Sequence, residues 1–215
     1  MVTLPTIDQV VDSLGRVREQ IATIGRDDVS IVAVTKGFPP AIIDVARGAG
    51  ITDIGESYAQ ELLGKLDHID EERLHFIGRI QRNKVRKIAD AIDLWHSVDR
   101  LELLREVGKR TPGAKVLIQV NPSADPTKAG VEPAEVPAML SQAERDGVVP
   151  IGLMTIGVQD DPEATRRAFA DVDALATKLG LNERSMGMSG DYLDAAAAGA
   201  TMLRLGSVLF GPRPE

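Results

Sequence analysis

Ile7, Val10, Val11, Leu14, Val17, Ile21 and Ile24 recur at three- and four-residue intervals, which puts one apolar stripe on a helix. Thr6 and Gln9 stand where a capping box would start it, so the spacing predicts a helix over 6–24. After a turn at Gly25 to Asp28 the pattern changes: Ser30 to Thr35 is a short β-branched run, and Pro39 and Pro40 then lead a helical segment closed by Gly48 and Gly50. The same alternation continues down the chain. Strands are predicted at Ile51 to Ile54, Leu74 to Ile77, Leu94 to Val98, Lys115 to Val120, Ile151 to Thr155, Arg184 to Met186 and Thr201 to Leu205. Between them lie helical stretches from Tyr58, from Asn83 to Ala91 and from Asp99 to Arg110, and one carrying Val136, Met139, Leu140 and Ala143. Asp161 and Pro162 open a further helix, whose stripe of Ala168, Phe169, Val172, Leu175, Ala176 and Leu179 stops at Gly180, and an alanine-rich helix ends at Gly199. Eight strand–helix alternations without a linker or low-complexity block predict an α/β fold, one (βα)8 TIM-type barrel over residues 1–215 with an extra N-terminal helix. The loop Asn121 to Val131 is the one connection long enough to be suspected as a lid.

Composition narrows the chemistry. With 215 residues, 43% of them apolar, there is material for one sizeable core. A net charge of -7 disfavours nucleic acid and anionic membrane surfaces as partners. The chain has no cysteine, which removes disulfides and thiolate chemistry, and His68, His75 and His96 show no metal-ligand spacing, so no metal is expected. His75 and His96 fall in predicted strands and read as satisfied core histidines. The N-terminus shows no leader pattern and no apolar run reaches spanning length, so a cytoplasmic protein is expected.

In a βα barrel the reactive groups stand at the C-terminal ends of the strands. Lys36 follows strand one and shares parity with Val32 and Val34, which aims its amine at the barrel mouth. Arg204 alternates with Leu203 and Leu205 in strand eight, so it faces inward and needs an acceptor or an anion. Small-residue turns follow strands seven and eight, Gly187 to Gly190 with Ser189, and Gly206 with Ser207. The loops after these two strands are a recurrent phosphate site in this fold. Strand closure puts strand one beside strand eight, so lysine, arginine and the turns form a site suited to a phosphorylated aldehyde, to which a neutral lysine adds as an imine.

These residues also carry a family resemblance. Ala33 to Lys36, Gly55 to Glu61, His75 to Gly78 with Gln81, Asn83 and Lys84, Gly152 to Met154, Ser185 to Asp191, Arg204 to Gly206, and Phe210 with Gly211 resemble the pyridoxal phosphate homeostasis family, whose barrel is similar to the N-terminal domain of alanine racemase. The resemblance implies pyridoxal 5'-phosphate (PLP) as cofactor, held as a Schiff base (internal aldimine) on Lys36. It further implies that Ser189, Gly206 and Ser207 hold the phosphate and that Arg204 faces the pyridine nitrogen. Ser57 stands where the family usually has Asn, and Arg79 and Ile80 where a Pro-Leu pair is more usual, which puts cofactor contacts from Ser57 and the entry to the following helix in question.

A racemase of that type takes its second base, a tyrosine, from a second domain of a partner subunit. This chain ends ten residues after strand eight, and its tyrosines, Tyr58 and Tyr192, lie in or near helices. The expectation is therefore a monomeric PLP carrier that works in PLP homeostasis and delivery by transient contact with PLP-dependent apoenzymes, with no residue assigned as catalytic acid or base. The alternatives are a PLP-dependent amino-acid racemase of low activity and, more remotely, a Schiff-base phosphosugar aldolase. Arg79, Arg82, Lys84, Arg86 and Lys87 form a basic cluster with two readings, a solvated face or a secondary anion or docking site.

Overall fold

The computed structural model describes residues 4–79, 81–123 and 128–214. Ile80 and residues 124–127 of the suspected lid, both singled out above, lie outside them.

Eight parallel strands close into a barrel in chain order. They are β1 (Ser30–Val34), β2 (Asp53–Glu56), β3 (Arg73–Phe76), β4 (Leu94–Val98), β5 (Lys115–Gln119), β6 (Val149–Met154), β7 (Glu183–Ser185) and β8 (Met202–Leu205). Around them run α1 (Ile7–Ala22), α2 (Ile42–Gly48), α3 (Ala59–Leu63), α4 (Arg82–Ile88), α5 (Leu101–Arg110), α6 (Val136–Arg145), α7 (Pro162–Lys178), α8 (Tyr192–Ala197) and α9 (Ser207–Phe210). This is the predicted barrel with its leading helix. Among the described residues no helix is long and apolar enough to cross a membrane.

The local rules that predicted the helices act as expected. Thr6 accepts from the Gln9 backbone while the Gln9 side chain accepts from the Thr6 N–H, so the capping box at α1 is complete. Asp161 accepts from Ala164 N at 2.9 Å at the start of α7. Strand alternation sorts the side chains into two layers. Ile31, Ala33, Ile54, Leu74, Trp95, Val116, Ile118, Leu203 and Leu205 join the buried layer between sheet and helices, while Leu94, Leu117 and Met154 pack together as a separate cluster with Met202. Trp95 fills the sheet–helix layer, with its ring 5.6 Å from Phe76.

The second strand corrects the sequence reading. It runs from Asp53 to Glu56, not from Ile51 to Ile54. Ile51 instead ends the α2 turn, its N–H donating to Ala46 O at 3.0 Å. Hydrophobic patterning discounts Asp53 and Glu56, yet both are buried because each has specific partners in the fold. The third helix differs too: α4 ends at Ile88 and the chain tightens into a 3-10 turn over Ala89–Ala91. β6 starts two residues before the predicted Ile151, because Val149 N already donates to Ala114 O at 2.9 Å. The sequence reading did not predict α9, the short turn of helix after β8.

The partners of Glu56 build the platform under Lys36. Lys65, 2% exposed, donates from Nζ to Glu56 Oε1 at 2.5 Å and to Thr35 O at 2.7 Å. Thr35 Oγ1 donates to the same carboxylate oxygen at 2.6 Å. A buried ion pair thus grips the backbone one residue before Lys36, and on the other side Gly37 N donates to Glu61 Oε2 at 2.7 Å. Gly37 adopts a φ of 77°, in the left-handed region that favours glycine. Phe38 then packs edge-on against Phe210 of α9, ring centroids 5.6 Å apart, which ties the loop after β1 to the segment after β8.

Removing one partner of a buried pair leaves an uncompensated charge, so Lys65→Met is expected to cost about 3–5 kcal/mol in urea unfolding. Lys65→Met combined with Glu56→Leu is expected to recover much of that loss. Equal costs for the single and double variants would show that the pair does not stabilise the fold in this way.

Candidate functional site

The register of β1 on β8 pairs Val32 with Arg204 and Ala33 with Leu205, which sets the end of strand one against the turn at Gly206. One cavity of about 290 Å³ opens there. Lys36, Ser57, Ser189, Arg204, Gly206 and Ser207 all line it, with Val34, Ile77, Met154 and Ile156 as apolar walls. The structure therefore brings together every residue singled out for the site from the sequence. It adds Arg213, which reaches back from the C-terminal segment and lies against Gly37. No pattern marked Arg213, because its place depends on how the last residues fold over the β1 loop.

Burial, then the charges of Arg213 and Arg204, push the Lys36 ammonium below the usual lysine range, and Glu56 and Glu61 pull the other way. The neutral, nucleophilic amine is thus present at lower pH than on a free lysine. Lys65 is the contrasting amine: its Nζ is committed to Glu56 and Thr35 and is closed off from the cavity.

Arg204 is buried with 4% of its surface exposed, and burial pushes its guanidinium down to about 10. It donates from one terminal nitrogen to Ser185 Oγ at 2.7 Å and from the other to Thr155 O at 2.8 Å. Gly187 positions the strand beside it. Its carbonyl accepts from Arg204 N at 3.0 Å, its φ is 90°, and a Cβ there would lie 2.6 Å from Ala195 Cβ.

The two turns form a donor cradle. Gly206 N and Val208 N both donate to Ser189 Oγ, at 3.3 and 3.2 Å, so these backbone N–H groups converge on one point in the cavity wall. Among the described residues that line the cavity there is no carboxylate. An amine, two guanidinium groups, three hydroxyls and converging N–H groups around an apolar slot fit an anionic, aldehyde-bearing ring such as PLP.

Ser57 is held by close backbone packing. A Cβ on Gly78 would lie 2.1 Å from Ser57 O, so only glycine admits this approach. Gly78 O in turn accepts from Ser97 Oγ. Ser57 also borders a neighbouring groove lined by Gln60, Arg79, Gln81, Lys84 and Lys87. The basic cluster is thereby divided: Arg79, Lys84 and Lys87 line this groove, whereas Arg82 and Arg86 are exposed outside its lining. Of the two tyrosines, Tyr58 is 55% exposed and Tyr192 donates its hydroxyl to Gln20, and neither lines the cofactor-sized cavity.

The two strand histidines are satisfied core residues, bonded to each other and to Asp53 and Ser185. Their place in strands was visible in the sequence, but their connection to Arg204 needs the closed barrel.

Comparison with known proteins identifies the family. The family model of the alanine racemase N-terminal domain matches residues 12–214. The pyridoxal phosphate homeostasis protein of Synechocystis is 41% identical over 213 residues, covering 91% of this chain and 96% of the relative. That of Pseudomonas aeruginosa is 38% identical over 221 residues, covering 96% and 95%. PipY of Synechococcus elongatus, solved without PLP, superposes with a TM-score of 0.86 at 33% identity over 94% of this chain and 100% of its own. Its form with PLP bound superposes with a TM-score of 0.82. On matches of this extent the chain belongs to the pyridoxal phosphate homeostasis protein family, built on the alanine racemase N-terminal domain.

Proposed function

We propose that this protein holds PLP as a Schiff base on Lys36 and serves PLP homeostasis as a monomeric cytoplasmic carrier that passes the cofactor to PLP-dependent apoenzymes, without efficient catalysis of its own. The observation that carries the reading is the convergence of Lys36, Ser189, Arg204, Gly206 and Ser207 on one cavity whose described lining has no carboxylate. The chain's relatives, pyridoxal phosphate homeostasis proteins, and the PLP-bound form of PipY support it.

PLP supplies an aldehyde that condenses reversibly with an amine. Lys36 offers that amine, made available by burial and by the cations beside it. Ser189 and Ser207, with the N–H groups converging at Gly206, receive the phosphate. Arg204 would face the ring nitrogen, as the family resemblance implies. A guanidinium there stays charged and disfavours protonation of that nitrogen, which weakens the ring as an electron sink and leaves carbanion chemistry poorly supported. Ser57, just after β2, lines the same cavity and would border the ring. Neither tyrosine lies where it could act as a second base over the ring, which favours carriage over racemisation.

Protein incubated with PLP and then dialysed is expected to show the absorption band of a protonated imine, to lose it on borohydride reduction, and to lack it in Lys36→Ala. A wild-type protein without the band would overturn the cofactor assignment. Loaded protein mixed with amino acids in heavy water is expected to leave their α-protons unexchanged; rapid exchange of one amino acid would replace the carrier with a racemase.

The lowered Lys36 amine gives a pH dependence. The rate of PLP capture is expected to rise with pH through a midpoint below that of free lysine. Arg213→Gln removes one of the charges that depress the amine, so its midpoint should move upward. An unmoved midpoint would show that Arg213 does not act on the amine.

A further inference from the structure

The buried groups that the function above does not use lie in one line. Asp53 Oδ1 is 2.8 Å from His75 Nε2, His75 Nδ1 is 2.8 Å from His96 Nε2, and His96 Nδ1 is 2.8 Å from Ser185 Oγ. Ser185 Oγ then accepts from Arg204 at 2.7 Å. The residues come from β2, β3, β4, β7 and β8, so the step from His96 to Ser185 crosses the barrel interior between strands that are not neighbours. One end reaches a cavity of about 460 Å³ lined by Asp53 and His75 among the first residues of several strands; the other is the guanidinium in the cofactor cavity.

We propose that Asp53, His75, His96 and Ser185 form a polarised hydrogen-bond chain that positions Arg204 against the cofactor ring, with both imidazoles neutral and protonated on Nε2. The inference rests on the reading that Arg204 faces the PLP ring nitrogen.

Bond counting fixes the direction. A carboxylate only accepts, so His75 Nε2 donates to Asp53. The Nδ1 of neutral His75 is then a lone pair, which requires His96 Nε2 to donate. His96 Nδ1 accepts in turn, the Ser185 hydroxyl donates to it, and the Ser185 oxygen is left to accept from Arg204. Every donor points away from Arg204 and toward Asp53, and every polar atom in the line is used. The reverse order requires a charged His75 and turns His96 Nδ1 into a donor. Ser185 would then receive two donors while its own hydroxyl lost its acceptor.

The local electrostatics are compatible with the first order, which the bond count selects. Burial above all holds His96 well below the ordinary histidine range, with the charge of Arg204 adding to it, so it stays neutral. At the far end burial would raise the Asp53 carboxyl, but the hydrogen bonds from His75 and Arg73 hold it down to about 2, so it remains an acceptor across the neutral range. Arg204 is thereby held by one side-chain contact and one carbonyl, and the side-chain contact is itself locked from two residues further away.

The test has two arms. In protein labelled with 15N-histidine and free of cofactor, long-range 15N–1H correlation spectra at neutral pH should show His75 and His96 each protonated on Nε2 alone, assigned by the loss of signals in His75→Gln and His96→Gln. Either ring protonated on Nδ1, or on both nitrogens, overturns the chain. In the second arm the protein binds PLP labelled with 15N in its ring. Ser185→Ala, His96→Phe and the more distant His75→Phe should each shift the ring-nitrogen resonance and weaken PLP binding by about tenfold, the scale of one unsatisfied buried group. His96→Gln, whose amide can accept from Ser185 and donate to His75, should restore both. Wild-type resonance and affinity in His96→Phe and in Ser185→Ala, with cooperative unfolding retained, overturn the positioning role. If the apolar histidine variants do not fold, Ser185→Ala and the tautomer spectra still decide. Failure of wild-type protein to take up PLP overturns the cofactor reading instead, while the first arm continues to test the chain.

Discussion

A guanidinium cannot shed its charge, so a barrel that buries Arg204 must surround it with acceptors or an anion. Much of this molecule's interior follows from that requirement. Ser185 and Thr155 O meet the guanidinium directly. His96, His75 and Asp53 extend the line across a barrel that purely apolar side chains could otherwise fill. The cost of these polar groups is offset because each is bonded, and the result is a cation fixed at one point of the cavity wall rather than a mobile side chain. Gly187 contributes by letting the β7 turn approach closely enough to accept from the Arg204 backbone.

Pairing also governs the other side of the cavity. Lys36 and Lys65 lie close to one stretch of backbone, yet only one can serve as a nucleophile. Lys65 spends its hydrogen bonds on Glu56 and Thr35 and gives the β1 loop a fixed anchor. Lys36 is half-buried beside two arginines, and its charged form is disfavoured. Reactivity is thus assigned by environment, through a carboxylate bonded directly to one amine and burial beside two cations for the other.

How much of this could be read from the chain depends on how local the cause is. Helices α1 and α7 were legible because their caps and stripes are local, and β1 and β8 because alternation fixes which side chains face inward. Lys36, Arg204 and the turns at Ser189 and Gly206 were legible as a site because parity and strand adjacency follow from barrel closure alone. The register of β2 was not, since it depends on burying Asp53 and Glu56 against residues 9 to 22 positions away in the chain. Arg213 was invisible for the same reason, lying in a segment with no periodicity and owing its place to contact with Gly37. The histidines were correctly read as satisfied, but their partners lie up to 89 residues apart in sequence. Polar burial is a property of pairs, and single-residue patterns do not reveal pairs.

A cofactor carrier and a cofactor enzyme face opposite demands at the ring nitrogen. An enzyme that stabilises a carbanion gains from a protonated ring, whereas a carrier is served by a ring that does not promote carbanion chemistry on the amines that reach it. On the proposed reading, a cation fixed at the ring nitrogen answers the second demand, and it works only if the cation cannot swing away. A solvated arginine on a flexible loop would supply charge without constancy. Arg204 is in a strand, buried, and held through Ser185 by a line of groups that ends on a carboxylate at the far side of the barrel. On the proposed reading, the polar interior that costs stability is the feature that would hold Arg204 at the ring nitrogen of a catalytically restrained PLP site, on a fold shared with racemases.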